Sequence, residues 1–176
     1  MRIEHGSANR WKTSQGLGRA IVKSLAAEGV KVFATARNED LLASLISEIE
    51  ESGSVAPVTF AQDFVAADGP EKIVAAALAA MGHIDILINN AGGSRPMDID
   101  APEEHWIEGM TLNFDRHRQV TQKLLPNFLA RKAGSIVNIS GNLEPEIVNA
   151  TMASPRARYI TGTVLVADGG MRRYSF

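Results

Sequence analysis

The sequence predicts an α/β fold in which a parallel, doubly wound sheet forms the middle of three layers. Short apolar runs alternate along the chain with longer segments whose apolar residues recur at helical spacing. This alternation is typical of βαβ units, whose strands are parallel. The length of 176 residues, with 45% apolar and 22% charged residues, fits one globular domain covering 1–176.

Strands are expected where short apolar runs stand between polar or glycine-containing segments. The runs at 84–88 and 135–140 are of the kind that is buried on both faces of a sheet. Pro57 cannot donate a hydrogen bond, so its run is expected at an edge or only partly paired. In chain order the predicted strands are 31–36, 55–61, 84–88, 135–140 and 163–167.

The helices are predicted from apolar periodicity and from residues that start or stop a helix. Asn38 can cap a helix, and Pro70 suits a first turn. Gly29 and Gly53 stand where helices are expected to end. The predicted helices are 18–28, 38–53, 69–82 and 101–134, the last in two pieces.

Charge and composition exclude several classes of function. A net charge of −2 gives no broad attraction to nucleic acid or to an anionic membrane. The absence of cysteine excludes disulfides, thiolate metal sites and cysteine nucleophiles, and it fits a reducing cytoplasm. No apolar run approaches the length of about 20 residues of a membrane span, and the N-terminal residues lack a signal-peptide core. The four histidines have no metal-ligand spacing.

Ligands of doubly wound sheets bind at the carboxyl ends of the strands, so the residues after each predicted strand are candidates. "SQGLG" stands directly before the first helix, where Gly16, Leu17 and Gly18 would let a pyrophosphate approach the helix N-terminus. The same glycines would also suit an ordinary tight turn. "NNAGG" follows the run at 84–88 and leaves no bulk, so a flat cofactor could lie against its backbone.

Two charged residues follow the other predicted strands. Arg37 could pair with the 2′-phosphate of NADP, where enzymes that take NAD commonly place an acid. The alternative is a solvated arginine at a helix start. Asp63 could meet the adenine base, or it could be a turn residue or a helix cap. The sequence therefore favours NADP, with NAD possible.

These motifs resemble the classical short-chain dehydrogenases/reductases over nearly the whole chain. "GLGRAI", "ILINNAG", "LN" at 112–113, "GSIVNIS" and "YITGTVLVADGG" occur in the order that the family has them. The resemblance implies a Rossmann-type fold, a nicotinamide cofactor and hydride transfer between a carbonyl and an alcohol. Asn90, Ala91 and Gly92 would line the cofactor, and Asn113 would hold a proton-relay water. Family members commonly pack long helices such as 110–132 across two-fold axes, which implies a homodimer or homotetramer.

The sequence departs from the family pattern around the catalytic residues. The family's catalytic serine aligns with Gly141, so Ser140 is the hydroxyl nearest that position. The Tyr-x-x-x-Lys pair is absent, and Thr151 is nearest the tyrosine position. Tyr159 falls in a segment that is structural in the family, so packing is its expected role.

Two strands of the family fold are also hard to place. No apolar run precedes "SQGLG", although the first strand of this fold is central in its sheet. Only 141–162 separate the runs at 135–140 and 163–167, which is short of the about 30 residues of a βαβ unit. Either the sequence is an incomplete version of a longer protein, which we favour, or it is a true deletion. The second case would give a catalytically silent dinucleotide-binding or scaffold protein.

Overall fold

The computed structural model describes residues 16–93 and 100–139. Within these ranges, helices and short strands alternate as the sequence predicts. The strands are β1 (Phe33–Ala36), β2 (Val58–Ala61), β3 (Ile86–Asn89) and β4 (Ser135–Asn138). The helices are α1 (Gly16–Ala27), α2 (Glu39–Glu51), α3 (Gly69–Met81), α4 (Glu103–Met110) and α5 (Arg116–Arg131), with a π-helical turn at Thr111–Asp115. The residues before α1, where the family fold has its first strand, and the predicted strand at 163–167 lie outside the described residues.

Local start and stop residues set the bounds of α2 as predicted. The Asn38 side chain accepts a hydrogen bond of 2.8 Å from the backbone N–H of Leu41, which is an N-cap. Gly53 follows the helix with a φ of +75°, a conformation that glycine adopts without steric cost. Helix α1 begins at Gly16, two residues before the predicted start, and Gly16 has a φ of +56°.

The helical segment that was expected in two pieces is continuous. Helix α4 passes directly into the π-helical turn, and α5 follows without a break. A π-helical turn widens the helix by one residue locally, and such turns are frequent at functional sites. Asn113 lies in the middle of this turn. The predicted boundary between two helices is therefore a local change of helical pitch.

The described strands form two parallel pairs. Strand β1 pairs with β2, with Phe33 opposite Val58, and β3 pairs with β4, with Ile86 opposite Ser135. Among the described residues, no strand joins β1 to β3. Strand β2, which follows Pro57, pairs only with β1 among these strands, as expected for an edge strand.

Between β1 and β3 lies a cavity of about 510 Å³, which we call the central slot. Strand β1 lines one side of it and β3 lines the other. Each strand pair has its own apolar core. The first core contains Val22, Ala26, Ala34, Leu45 and Ile49, and the second contains Val74, Val120, Leu124 and Phe128.

Candidate functional site

The segment after β3 is bonded to the π-helical turn. The Asn113 side chain accepts a hydrogen bond of 2.6 Å from the backbone N–H of Gly93 and donates one of 2.7 Å to the Gly93 carbonyl. It donates a further bond of 2.9 Å to the Gly109 carbonyl. A side-chain amide that pairs with both backbone groups of one residue fixes that residue in two directions. Asn113 therefore fastens the end of 90–93 to the long helix.

Gly92 lies against the same amide. A Cβ added at Gly92 would be 3.3 Å from Oδ1 of Asn113, which is closer than an ordinary van der Waals contact. The backbone of 92–93 and the Asn113 side chain therefore approach to a distance that only glycine permits without displacement. A side chain at position 92 would therefore require the Asn113 amide to shift by a few tenths of an ångström.

His117 holds the other end of the segment, one helical turn after Asn113. Its Nε2 makes a hydrogen bond with the Ala91 carbonyl, and its ring lies 4.8 Å from the ring of Phe64 between centroids. Burial lowers the pKa of His117 below 6.5, against the opposing effect of the hydrogen bond to Ala91. The neutral ring donates from Nε2, so Nδ1 is an acceptor, and it has no partner among the described residues.

Asn89 ends β3 and is a buried polar residue, with 6% of its surface exposed. Its side-chain amide donates to Thr121 at 3.2 Å and to Asn138 at 2.8 Å. These bonds tie the ends of β3 and β4 to α5. The motif "NNAGG" includes Asn89, but the cofactor-binding residues named from it began at Asn90, and His117 was not named. An asparagine ending a buried strand was the visible indication for Asn89; no local pattern indicated His117.

The glycine-rich turn approaches this segment across the central slot. Gly16 is the first residue of α1 and is exposed, Leu17 is half-buried, and Gly18 is buried. Gly18 lines the slot, as do Asn90 and Ala91. The structure therefore brings Gly18 of the glycine-rich turn to the same cavity as Asn90 and Ala91 of "NNAGG".

Arg37 and Asp63 stand after the other two strands, at the same edge of the sheet. Arg37 is exposed and makes no hydrogen bond or ion pair with any described residue. The Asp63 carboxylate is exposed and accepts a hydrogen bond of 3.1 Å from the backbone N–H of Val65. An aspartate in a turn commonly accepts a hydrogen bond from the backbone two residues on, so this bond fits the alternative in which Asp63 is a turn residue.

The remaining candidates lie beyond the described ranges. Ser140, Thr151 and Tyr159 lie after residue 139, so the structure does not place them. Over 16–93 and 100–139, no His, Asp or Glu side chains gather in a group of three that could hold a metal ion. No helix in these two ranges has the length and apolarity to cross a membrane.

The sequence was compared with models of protein families and with known proteins. The family model described as short chain dehydrogenase matches residues 13–152. The chain is 37% identical over 131 residues to a very-long-chain 3-oxoacyl-CoA reductase from Laccaria bicolor, covering 72% of this chain and 38% of that protein. It is 34% identical over 130 residues to a fatty acyl-CoA reductase from Acinetobacter baylyi, covering 72% and 44%. The chain thus spans less than half the length of these two curated relatives.

Two solved structures with the same fold have NADPH bound. L-sorbose reductase from Gluconobacter frateurii, complexed with NADPH and L-sorbose, matches with a TM-score of 0.68 and 29% identity over 72% of this chain and 48% of that one. An actinorhodin polyketide ketoreductase with NADPH matches with a TM-score of 0.68 and 30% identity over 73% and 50%. These likenesses bear out the α/β, Rossmann-type prediction.

Proposed function

The chain belongs to the short chain dehydrogenase family, and we propose that it is the dinucleotide-binding part of an oxidoreductase. The enzyme transfers a hydride between a nicotinamide cofactor and the carbonyl or alcohol group of a small molecule. The observation that carries this proposal is the meeting of Gly18, Asn90 and Ala91 at one cavity, beside the carboxyl end of β3. Relatives named as reductases of acyl-CoA substrates support a carbonyl substrate.

The residues present fit a dinucleotide. Gly16 and Gly18 place free backbone N–H groups at the start of α1, where a pyrophosphate is stabilised. Gly92 keeps the segment 90–93 free of side-chain bulk, since a Cβ there would crowd Asn113. The bound nicotinamide supplies or accepts the hydride.

Arg37 makes NADP the preferred cofactor in this proposal. Its guanidinium is exposed and unpaired within the described ranges, and Ala36 before it offers no acceptor for ribose hydroxyls. Asp63, which follows β2 along the chain, would meet the adenine base in this proposal. The neighbours with bound NADPH support this cofactor.

The catalytic assignments extend to two residues of this chain. Ser140 follows β4 and would donate a hydrogen bond to the substrate oxygen. Asn113 would hold a relay water with the acceptor capacity that its bond to Gly93 leaves on Oδ1, since an amide oxygen has two lone pairs. Neither assignment supplies the acid that protonates the substrate oxygen, because the Tyr-x-x-x-Lys pair is absent from the sequence.

Arg37→Ala tests the cofactor preference. A guanidinium that makes hydrogen bonds to a phosphate contributes about 1.5–3 kcal/mol to binding, or roughly 10- to 100-fold in affinity. Calorimetric titration should show NADPH binding more tightly than NADH to the wild type, with most of that gap lost in Arg37→Ala. Lys31→Ala is the matched control, because Lys31 is an exposed cation before the opposite end of β1.

Equal affinity of the wild type for both cofactors would show that Arg37 is only a solvated residue. Binding of neither cofactor would remove the oxidoreductase proposal. Cofactor binding without turnover of simple ketones with NADPH would favour the silent, scaffold-type member of the family.

The proposal includes a homodimer or homotetramer in the cytoplasm. The absence of cysteine fits a reducing compartment. The helical segment 103–131 carries large apolar side chains that are exposed in the single chain, and on such a helix residues four apart share a face. They are Trp106, Ile107, Met110, Phe114, Leu125 and Leu129, with exposed fractions between 41% and 67%. A second copy of this chain would cover them.

A further inference from the structure

Two segments that follow strands meet the wall of the central slot. Residues 63–66 come after β2, and residues 90–93 come after β3. Phe64 of the first segment and Asn90 and Ala91 of the second line the slot. No backbone hydrogen bond between described residues joins the two segments. Side chains that reach both segments therefore bear directly on the spacing between them.

His117 is a side chain of this kind. Its Nε2 makes a hydrogen bond with the Ala91 carbonyl, and its ring lies 4.8 Å from the Phe64 ring between centroids, tilted by 47°. Phe64 in turn packs against the second apolar core. The His117 ring also lines the slot. One imidazole thus touches both segments at the wall of the cavity that we assign to the cofactor.

The surroundings of the imidazole fix its tautomer. The Ala91 carbonyl can only accept, so Nε2 of His117 carries the proton and donates it. Nδ1 is buried and has no partner among the described residues. Burial lowers the pKa of His117, although the hydrogen bond to Ala91 opposes this effect. The ring is therefore a neutral donor directed at one backbone carbonyl.

The neighbouring Arg116 fastens the segment after β2 to the same helical turn. Its Nε donates a hydrogen bond of 2.9 Å to the Val65 carbonyl, across 51 positions of the chain. That segment is itself closely packed, because a Cβ added at Gly69 would be 2.5 Å from the Asp63 carbonyl oxygen. The start of α5 is thus held against one segment, and His117 extends from it to the other.

Packing alone does not account for a histidine at position 117. Val120 and Leu124 lie on the same face of α5, are buried and line the slot with apolar side chains. An unpartnered buried acceptor such as Nδ1 costs stability, so packing would favour an apolar residue at position 117 as well. The polar ring is therefore better explained by the bond that it makes to Ala91.

We propose that His117 is a positioning residue for the dinucleotide, an inference that rests on the proposed function. Its ring sets the spacing between 63–66 and 90–93, and its hydrogen bond orients the peptide group that joins Ala91 to Gly92. It acts through these two segments and not on the reacting atoms. Loss of the Nε2 donor should therefore weaken cofactor binding.

Two substitutions in the full chain separate the donor from the bulk of the side chain. His117→Gln keeps an N–H donor close to the position of Nε2, whereas His117→Leu has a similar volume and no donor. Phe128→Leu is the matched control, because Phe128 is buried on the same helix and is not among the residues that line the slot. Calorimetric titration with NADPH at about pH 8, where histidine is neutral, measures binding.

We expect His117→Leu to bind NADPH roughly 3- to 10-fold more weakly than the wild type, which corresponds to one neutral hydrogen bond. His117→Gln should stay within about twofold of the wild type, and Phe128→Leu should be unchanged. Hydrogen exchange without cofactor gives a second measurement: the amides of 90–93 should exchange faster in His117→Leu than in His117→Gln. Thermal unfolding shows that each variant is folded, and His117→Met, which also lacks a donor, replaces a leucine variant that is not.

Several results would overturn the proposal. They are wild-type affinity in His117→Leu, equal weakening in His117→Leu and His117→Gln, equal weakening in Phe128→Leu, and unchanged exchange at 90–93. Each of these leaves the proposed function standing, because the wild type still binds NADPH. A wild type that binds neither NADPH nor NADH would instead remove the proposed function, and the role of His117 with it.

Discussion

Asn113 shows how much one side chain can fix. Its three hydrogen bonds join Gly93 and Gly109, so the residue links the segment after β3 to the helix around it. We expect Asn113→Ala to lower the free energy of unfolding by about 1–2 kcal/mol, since exposed hydrogen bonds contribute toward the lower end of their usual range. Urea unfolding measures this. His105→Ala, an exposed change on the same helical segment, should have a smaller effect.

The contact between Gly92 and Asn113 predicts a coupling between the two positions. Gly92→Ala alone should destabilise the protein because the new Cβ crowds Oδ1. In the double variant with Asn113→Ala the crowding is absent, so the combined loss should be smaller than the sum of the two. An additive result in a double-mutant cycle would show that the close approach has no energetic consequence.

The lowered pKa of His117 predicts how the stability of the protein depends on pH. Burial holds its folded-state pKa below 6.5, so the unfolded chain binds a proton at a higher pH than the folded protein does. Its contribution to stability is therefore complete above about pH 6.5 and falls as the pH drops below that value. Urea unfolding at about pH 7.5 and about pH 5.5 should show this loss in the wild type and a smaller one in His117→Gln. An equal loss in both proteins would assign the effect to other groups.

At the scale of elements, Glu48 joins α2 to α1. Its carboxylate lies 2.6 Å from Arg19 and 3.1 Å from Lys23, both on α1. Hydrogen bonds from Arg19, then from Lys23, lower the pKa of Glu48 from 4.5 to about 2. The stabilisation is thus present above about pH 4.5 and is lost as the pH falls toward 2.

Glu48→Gln should flatten the acid limb of the stability profile over that window. The measurement is thermal unfolding at a series of pH values in low salt, because salt screens exposed pairs. Glu51→Gln on the same helix is the control, since Glu51 is exposed and has no ion pair among the described residues. A profile that Glu48→Gln leaves unchanged would show that the two ion pairs contribute nothing to stability.

Elements whose causes are local could be predicted from the sequence. The start of α2 depends on Asn38 and its stop on Gly53, and both are readable within a few residues. The π-helical turn was not predicted, because nothing at 111–115 distinguishes it from ordinary helix. The turn has its evident role in tertiary structure, where it presents Asn113 to Gly93.

The candidate site, like the fold, could be predicted from the sequence only where its causes are local. The glycines and Arg37 are proposed to act through backbone freedom and through charge, and both properties follow from the residue type. His117 acts through a contact with Ala91, 26 positions away in the chain, and Asn89 through contacts with α5 and β4. Such pairings arise only when the elements pack. The sequence therefore carried no local indication of His117, and for Asn89 it indicated only a polar residue at the end of a buried strand.

At the scale of the whole molecule, the exposed apolar side chains of 103–131 predict self-association. Phe114→Asp should reduce the mass measured by light scattering at micromolar concentration, because a charge at a covered apolar contact is costly. Val55→Asp, at an apolar residue of similar exposure before β2, should leave the mass unchanged. A wild-type monomer under these conditions would contradict the predicted oligomer.

The division of the described sheet into two pairs bears on how the molecule unfolds. Each pair has its own core, and the two cores have no buried residue in common. A strand in the central slot would bond to both halves and make their unfolding one cooperative event. Without it, the halves are joined through α3, which packs against β1 and β2 as well as against α5. How firmly the cavity of about 510 Å³ is filled therefore bears on how cooperatively the domain unfolds.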